Sequence, residues 1–145
     1  MSNAVTTSAP ASFTAASQTD HAAFLLRVTM GAMFLVHAWL KIVVFTPAGT
    51  AQFFESIGLP GGLAYVVIAM ELGGGVALLA GLWTRLVALA LIPILLGTIV
   101  TIHGAAGFVF SNPGGGWEFP AFWSVALAVQ ALLGGGSLAV TKSRA

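Results

Sequence analysis

The chain has 145 residues, 6% of them charged and 58% apolar, with five Lys+Arg, four Asp+Glu and a formal net charge of +1; mean hydropathy is +0.99. Such a composition excludes disorder of the bulk, a phosphate-neutralising surface for nucleic acid and a water-soluble globule, whose surface so few charges could not cover. No cysteine is present, so disulfides, thiolate catalysis and Cys-ligated metal or iron–sulfur centres within the chain are excluded as well.

What remains is an all-α integral membrane protein. The opening segment, residues 1–22, is rich in Ser, Thr and Ala, has no apolar run, and carries no Lys or Arg. It lacks the basic and apolar regions of a signal peptide and reads as a disordered tail. Four apolar runs follow, at about 24–45, 62–83, 85–104 and 119–140. Each is long enough to cross a hydrocarbon core of ~30 Å. Backbone polar groups in lipid need internal partners, so all four are expected to be helices.

Short links impose an up-down four-helix bundle over 23–141 with both termini on one side, followed by a short tail at 142–145. That side holds Arg85, Lys142 and Arg144, with Arg27 close by, while Lys41, Glu55 and Glu118 lie toward the other. The bias places both termini in the cytoplasm. In the second run Gly73, Ala77 and Gly81 form a small-residue ridge suited to close helix approach. Pro93 is expected to bend the third run.

The scarce ionisable residues are the informative part. Counting 1.5 Å per residue puts His37 ~20 Å and Lys41 ~25 Å into the first span, and Glu71 ~14 Å down the second from the opposite face. His103 closes the third span at that same end, and Trp117 and Glu118 open the fourth there. Hence His37, Lys41, Glu71, His103 and Glu118 fall into one layer in the outer half of the bilayer. His37 and Lys41 are i, i+4 neighbours, and Arg27, Phe34 and Lys41, at spacing seven, share a stripe. Buried ionisable residues at such depth mark substrate or proton pathways. Bland readings stand beside this: Lys41 and Glu118 as residues snorkelling to water, His103 as a helix cap, and Trp117 and Trp123 as interfacial anchors, the reading favoured for Trp123.

Carboxylates, an ammonium and imidazoles inside lipid suit proton-linked handling of a polar head group, and a quinone fits: it needs an apolar slot, donors to its oxygens and a proton route. Glu71 and His37 are candidate proton-exchanging groups, and Lys41 a stabiliser of a reduced, anionic oxygen. His103, Glu118, Trp117 and Phe34 are candidate substrate-binding residues. A metal held by His37, His103, Glu71 and Glu118 is a minor alternative, with no HxxxH or ExxH pair to support it, and no metal is expected. Two other classes stay open: a proton-linked carrier of a small organic solute, and a structural or assembly subunit whose polar layer locks helix packing.

The sequence resembles the DoxX family of small four-helix bacterial membrane proteins over roughly residues 24–140. The resemblance is carried by LLRVTMGAMFLVHAWLK with Arg27, Gly31, His37 and Lys41, and by MELGGGVALLAGLWTR with Glu71, Gly74, Gly81 and Arg85. His103 with Gly107 and Phe108, the turn GGGWEFP with Glu118, and Gly134 to Gly136 complete it. Ala38 stands where the family pattern usually has Gly. The resemblance implies a multi-pass protein of the bacterial inner membrane with an oxidoreductase-type role. Some members are similar to a subunit of thiosulfate:quinone oxidoreductase, and others are associated with oxidative, thiol or catechol/quinone stress or with membrane redox assemblies. Expected partners are the lipid bilayer, a small-molecule substrate, and a partner redox protein or a second copy of the chain; nucleic acid is not among them.

Overall fold

The computed structural model describes residues 15–136 and 138–141, with side chains from Gln18 onward. The first fourteen residues and 142–145, and the tails expected there, lie outside the described residues. Among the described residues all regular structure is helical. The helices are α1 (Ala15–Trp39), α2 (Pro47–Ser56), α3 (Gly62–Ala80), α4 (Thr84–Thr98) and α5 (Glu118–Leu133). A π-helical turn, Leu40–Val44, extends α1. A second, Ile99–His103, and a short 3-10 turn, Gly104–Ala106, extend α4.

Among the described residues three continuous helical stretches are long and apolar enough to cross a membrane: Gln18–Val44, Gly62–Ala80 and Thr84–Ala106. Glu118–Leu133 is a shorter apolar helix. Burial explains why these segments are helices in lipid. On α3 the buried positions are Ala64, Ile68, Glu71, Gly75 and Leu78, a stripe recurring every three or four residues. The remaining faces carry Tyr65, Val66, Leu72 and Val76, which are exposed. Apolar residues outside and a carboxylate inside suit hydrocarbon surroundings.

Helix association in lipid depends on close packing. Backbone meets backbone where α1 and α3 pack together at Gly31 and Gly75. A Cβ on Gly31 would lie 2.9 Å from the Gly75 carbonyl oxygen, and one on Gly75 would lie 3.0 Å from that of Gly31. The expected ridge at Gly73 plays no such part within the chain, because a Cβ there meets nothing within 4 Å. On the other side of the bundle α4 and α5 interleave Ala88, Leu91 and Leu95 with Trp123, Ala126, Leu127 and Ala131.

Three expectations about the elements need correction. Residues 15–22 are helical and belong to α1, where a tail was expected. The fourth helix stops at Leu133, not near 140, because Gly134 turns the chain out of the helix at φ 78°. The following residues fold back as a strap across the α3–α4 turn. There the Val140 and Thr141 amides donate to the Ala80 and Gly81 carbonyls, and Thr141 Oγ1 accepts from the Trp83 amide at 2.7 Å. Finally, α2 lies in what looked like a plain connection. Its start follows from local chemistry: Pro47 occupies the first turn, and Thr46 Oγ1 caps it by accepting from the Gly49 amide.

The early part of α1 and the end of α5 meet at one end of the bundle. Gln130, late in α5, donates through Nε2 to the Ala23 carbonyl early in α1. At that end Arg27 is 1% exposed and donates through Nη1 to the Leu78 and Leu79 carbonyls, each at 2.7 Å. A guanidinium thus neutralises the carbonyl-rich C-terminus of α3, with the Phe24 ring 5.4 Å away.

Candidate functional site

At the opposite end of the bundle a cavity of about 800 Å³ lies among α1, α2, α3, α4 and the two π-helical turns. Its walls are mostly apolar; Val66, Val67, Met70, Ile94 and Ile102 supply much of them. Four candidate residues line it: His37, Lys41, Glu71 and His103. Each reaches it for a local reason. Glu71 belongs to the inward stripe of α3 and is 4% exposed. Lys41 sits in the first π-helical turn and His103 in the second. The wider winding rotates both away from an α-helical register, and such turns recur at functional sites.

Lys41 Nζ donates to Glu71 Oε1 at 2.8 Å and Oε2 at 2.9 Å. The pair joins α3 to the end of α1. An ammonium has three N–H groups, so this geometry leaves one for a further acceptor. His37 Nδ1 lies 2.8 Å from the Met33 carbonyl oxygen, and His103 Nδ1 lies 2.6 Å from that of Gly115. A carbonyl only accepts, so Nδ1 carries the hydrogen in each ring. In the neutral rings Nε2 is then an acceptor. The His37 ring also packs on Trp123, 5.0 Å between centroids.

The other candidates stand apart. Phe34 is 0% exposed and packs on Trp123 at 4.5 Å, in the core rather than at the cavity. Glu118 Oε1 accepts from the Phe110 amide and pins the loop after α4. Trp117 precedes α5 and stacks edge-on against Phe108 at 4.8 Å. Trp123, expected as an interfacial anchor, is 2% exposed and lies among Phe34, His37 and Phe119. The four-residue metal set is not assembled: Glu118 lies outside the cavity, and among the described residues no three His, Asp or Glu side chains are grouped to hold an ion.

Sequence reasoning missed the contribution of α2. Thr50, Phe53 and Phe54 face the cavity, and Thr50 Oγ1 donates to the Thr46 carbonyl at 2.9 Å and the Lys41 carbonyl at 3.4 Å. This fastens α2 to the turn that carries Lys41. The Thr46-Pro47 pair was the available signal. Pro93, Gly97, Thr98 and Thr101 of the α4 segment also line the cavity.

The fold and site together define a small helical membrane protein with an ion pair and two imidazoles on a mostly apolar cavity. The chain belongs to the DoxX family, whose sequence pattern matches residues 22–104, more than half of its length. It is 46% identical over 85 residues to the Bacillus subtilis (strain 168) protein named "Putative oxidoreductase CatD", covering 59% of this chain and 62% of that one. It is 40% identical over 70 residues to "Inner membrane protein YqjF" of Escherichia coli (strain K12), covering 48% of this chain and 52% of the relative. The chain thus spans between half and two thirds of the length of these curated relatives. No solved structure matches it.

Proposed function

We propose that this protein is a membrane-embedded, oxidoreductase-type subunit that handles a quinone or a similar small redox-active molecule in the cavity. The observation that carries this reading is the Lys41–Glu71 pair on the wall of a mostly apolar chamber that two imidazoles also line. The volume suits an aromatic head group with part of a tail. The donors fit as well: the third N–H of Lys41 is available to a quinone oxygen, and the Nε2 atoms of His37 and His103 accept from a hydroxyl or, when protonated, donate.

Reduction of a quinone to a quinol takes up two electrons and two protons. With no cysteine in the chain, the two electrons come from a partner redox protein or from a second, reducing substrate that is oxidised as the quinone is reduced. His37 and Glu71 hold and pass protons at Nε2 and the carboxylate, and Lys41 stabilises negative charge on the substrate oxygen. The name of the Bacillus relative supports the redox class, and that of the Escherichia relative supports the bacterial inner membrane. Arg85 lies in the first turn of α4, at the end of the bundle that also holds Arg27; this basic end faces the cytoplasm in our reading, which sets the cavity in the outer half of the bilayer.

The test is quinone binding by the protein in lipid nanodiscs, with short-tailed benzoquinone and naphthoquinone as probes. Wild type is expected to bind one of them, and Glu71→Gln and His37→Ala to weaken binding at least tenfold. Equal affinity in all three proteins, or no binding by any of them, overturns the reading. A proton-linked carrier is the second reading, supported by an ion pair at membrane depth. Uptake of a solute by proteoliposomes under a pH gradient, without electron transfer, would favour it.

A further inference from the structure

We infer that the cavity is loaded sideways from the bilayer, through a cleft between α3 and α4, and that the missing side chain of Gly97 sets the width of that opening. The inference rests on the proposed redox reading for its occupant, a lipid-dissolved molecule with a polar ring and an apolar tail, and on the geometry of the helices for its route.

The two helices are held together at the basic end. They are joined there by the turn at Gly81 and Trp83, and Gly74 packs on Leu91 so closely that a Cβ would meet Leu91 Cδ2 at 2.8 Å. Beyond that contact the α4 wall presents Pro93, Gly97 and Thr101 to the cavity, and the α3 wall presents Val66. All four of these lining residues are exposed, and we take their level as the mouth of the chamber.

That level lies inside the hydrocarbon. Counted back from Ala106, the end of the membrane-crossing stretch Thr84–Ala106, Thr101 is ~8 Å deep, Gly97 ~14 Å and Pro93 ~20 Å. The route from water is covered by α2, whose Thr50 and Phe54 are buried and face the cavity. A Cβ added to Gly97 would meet nothing within 4 Å. The glycine is therefore not demanded by packing, and its effect is to keep the rim open. An occupant entering here places its polar ring against Lys41 and Glu71 and leaves its tail in lipid.

The absence of native cysteine makes a direct test possible. Gly97→Cys and, as reference, Val100→Cys on the lipid-facing side of the same segment, 82% exposed, are each reconstituted in nanodiscs. They are then treated with a pyrenyl maleimide that dissolves in the bilayer or a sulfonated maleimide confined to water. Thr101→Cys supplies a second rim position. The expected result is labelling of both rim variants by the pyrenyl reagent within threefold of the Val100→Cys rate, and labelling by the sulfonated reagent at least 100-fold slower. Equal labelling by the two reagents at the rim, or no pyrenyl labelling there while Val100→Cys reacts, overturns lateral entry.

A short-tailed benzoquinone is expected to slow rim labelling at least fivefold and to leave Val100→Cys unaffected. Gly97→Leu should weaken binding of decyl-substituted benzoquinone at least tenfold while the protein stays monodisperse; unchanged affinity would remove Gly97 from the specificity role. If the rim labels from lipid as expected but benzoquinone gives no protection, the lateral opening stands and the quinone reading fails.

Discussion

Lys41 and Glu71, thirty positions apart, form a two-pronged ion pair at 2.8 and 2.9 Å that bridges the end of α1 and the middle of α3. Removing one partner strands a charge in a medium that solvates it poorly, whereas removing both leaves none. Glu71→Gln alone should therefore cost about 3–5 kcal/mol of stability, and Lys41→Met combined with Glu71→Leu should recover most of it. Thermal unfolding in detergent checks this. Quinone binding should be lost in the single and in the double variant. A double variant that regains stability and also binds normally would identify the pair as a purely structural lock.

Arg27 is expected to matter for stability and not for binding. Arg27→Met leaves the Leu78 and Leu79 carbonyls at the end of α3 without their donor, a loss of about 2–3 kcal/mol for a buried, charge-assisted pair of hydrogen bonds. The melting temperature should fall, while the dissociation constant for a quinone probe, measured well below it, should stay within twofold of wild type.

The glycines of α3 should separate sharply on substitution. Gly75→Leu drives a side chain toward the Gly31 carbonyl and Leu35, so it should abolish recovery of monodisperse protein. Gly73→Leu points into open space and should be recovered at wild-type yield, with a melting temperature within a few degrees of the parent. Size-exclusion chromatography of the two proteins is sufficient.

Trp123 is a case where a buried polar atom has little to lose. Among the described residues no atom accepts from its Nε1, so Trp123→Phe removes volume without breaking a hydrogen bond seen there. The expected cost is about 1–2 kcal/mol, from reduced packing against Phe34 and Phe119. A much larger loss in chemical denaturation would mean that an ordered water or ligand normally satisfies that nitrogen.

The membrane class and the helical spans were legible because composition and run length report directly on lipid. Counting residues along the first two spans put Lys41 and Glu71 at one level, where the structure pairs them. Depth does not report azimuth. Phe34 shares a seven-residue spacing with Lys41, yet the π-helical turn at Leu40–Val44 intervenes, and Phe34 faces Trp123 while Lys41 faces the cavity. Glu118 and Trp117 do not line the cavity: the loop after α4 captures the carboxylate through the Phe110 amide. The early end of the fourth helix is written in Gly134 to Gly136, three residues that leave the helix easily. The helix α2 was hidden because ten residues are too few to show as a span. Its own start signal was present in Thr46 and Pro47.

The strap formed by residues 138–141 has a consequence for biogenesis. Its amides and the Thr141 hydroxyl latch onto Ala80, Gly81 and Trp83, groups that enter the membrane some sixty residues earlier in synthesis. The α3–α4 hairpin therefore waits with its turn unfastened until the residues after α5 have emerged from the ribosome, and it is those residues that close the clasp.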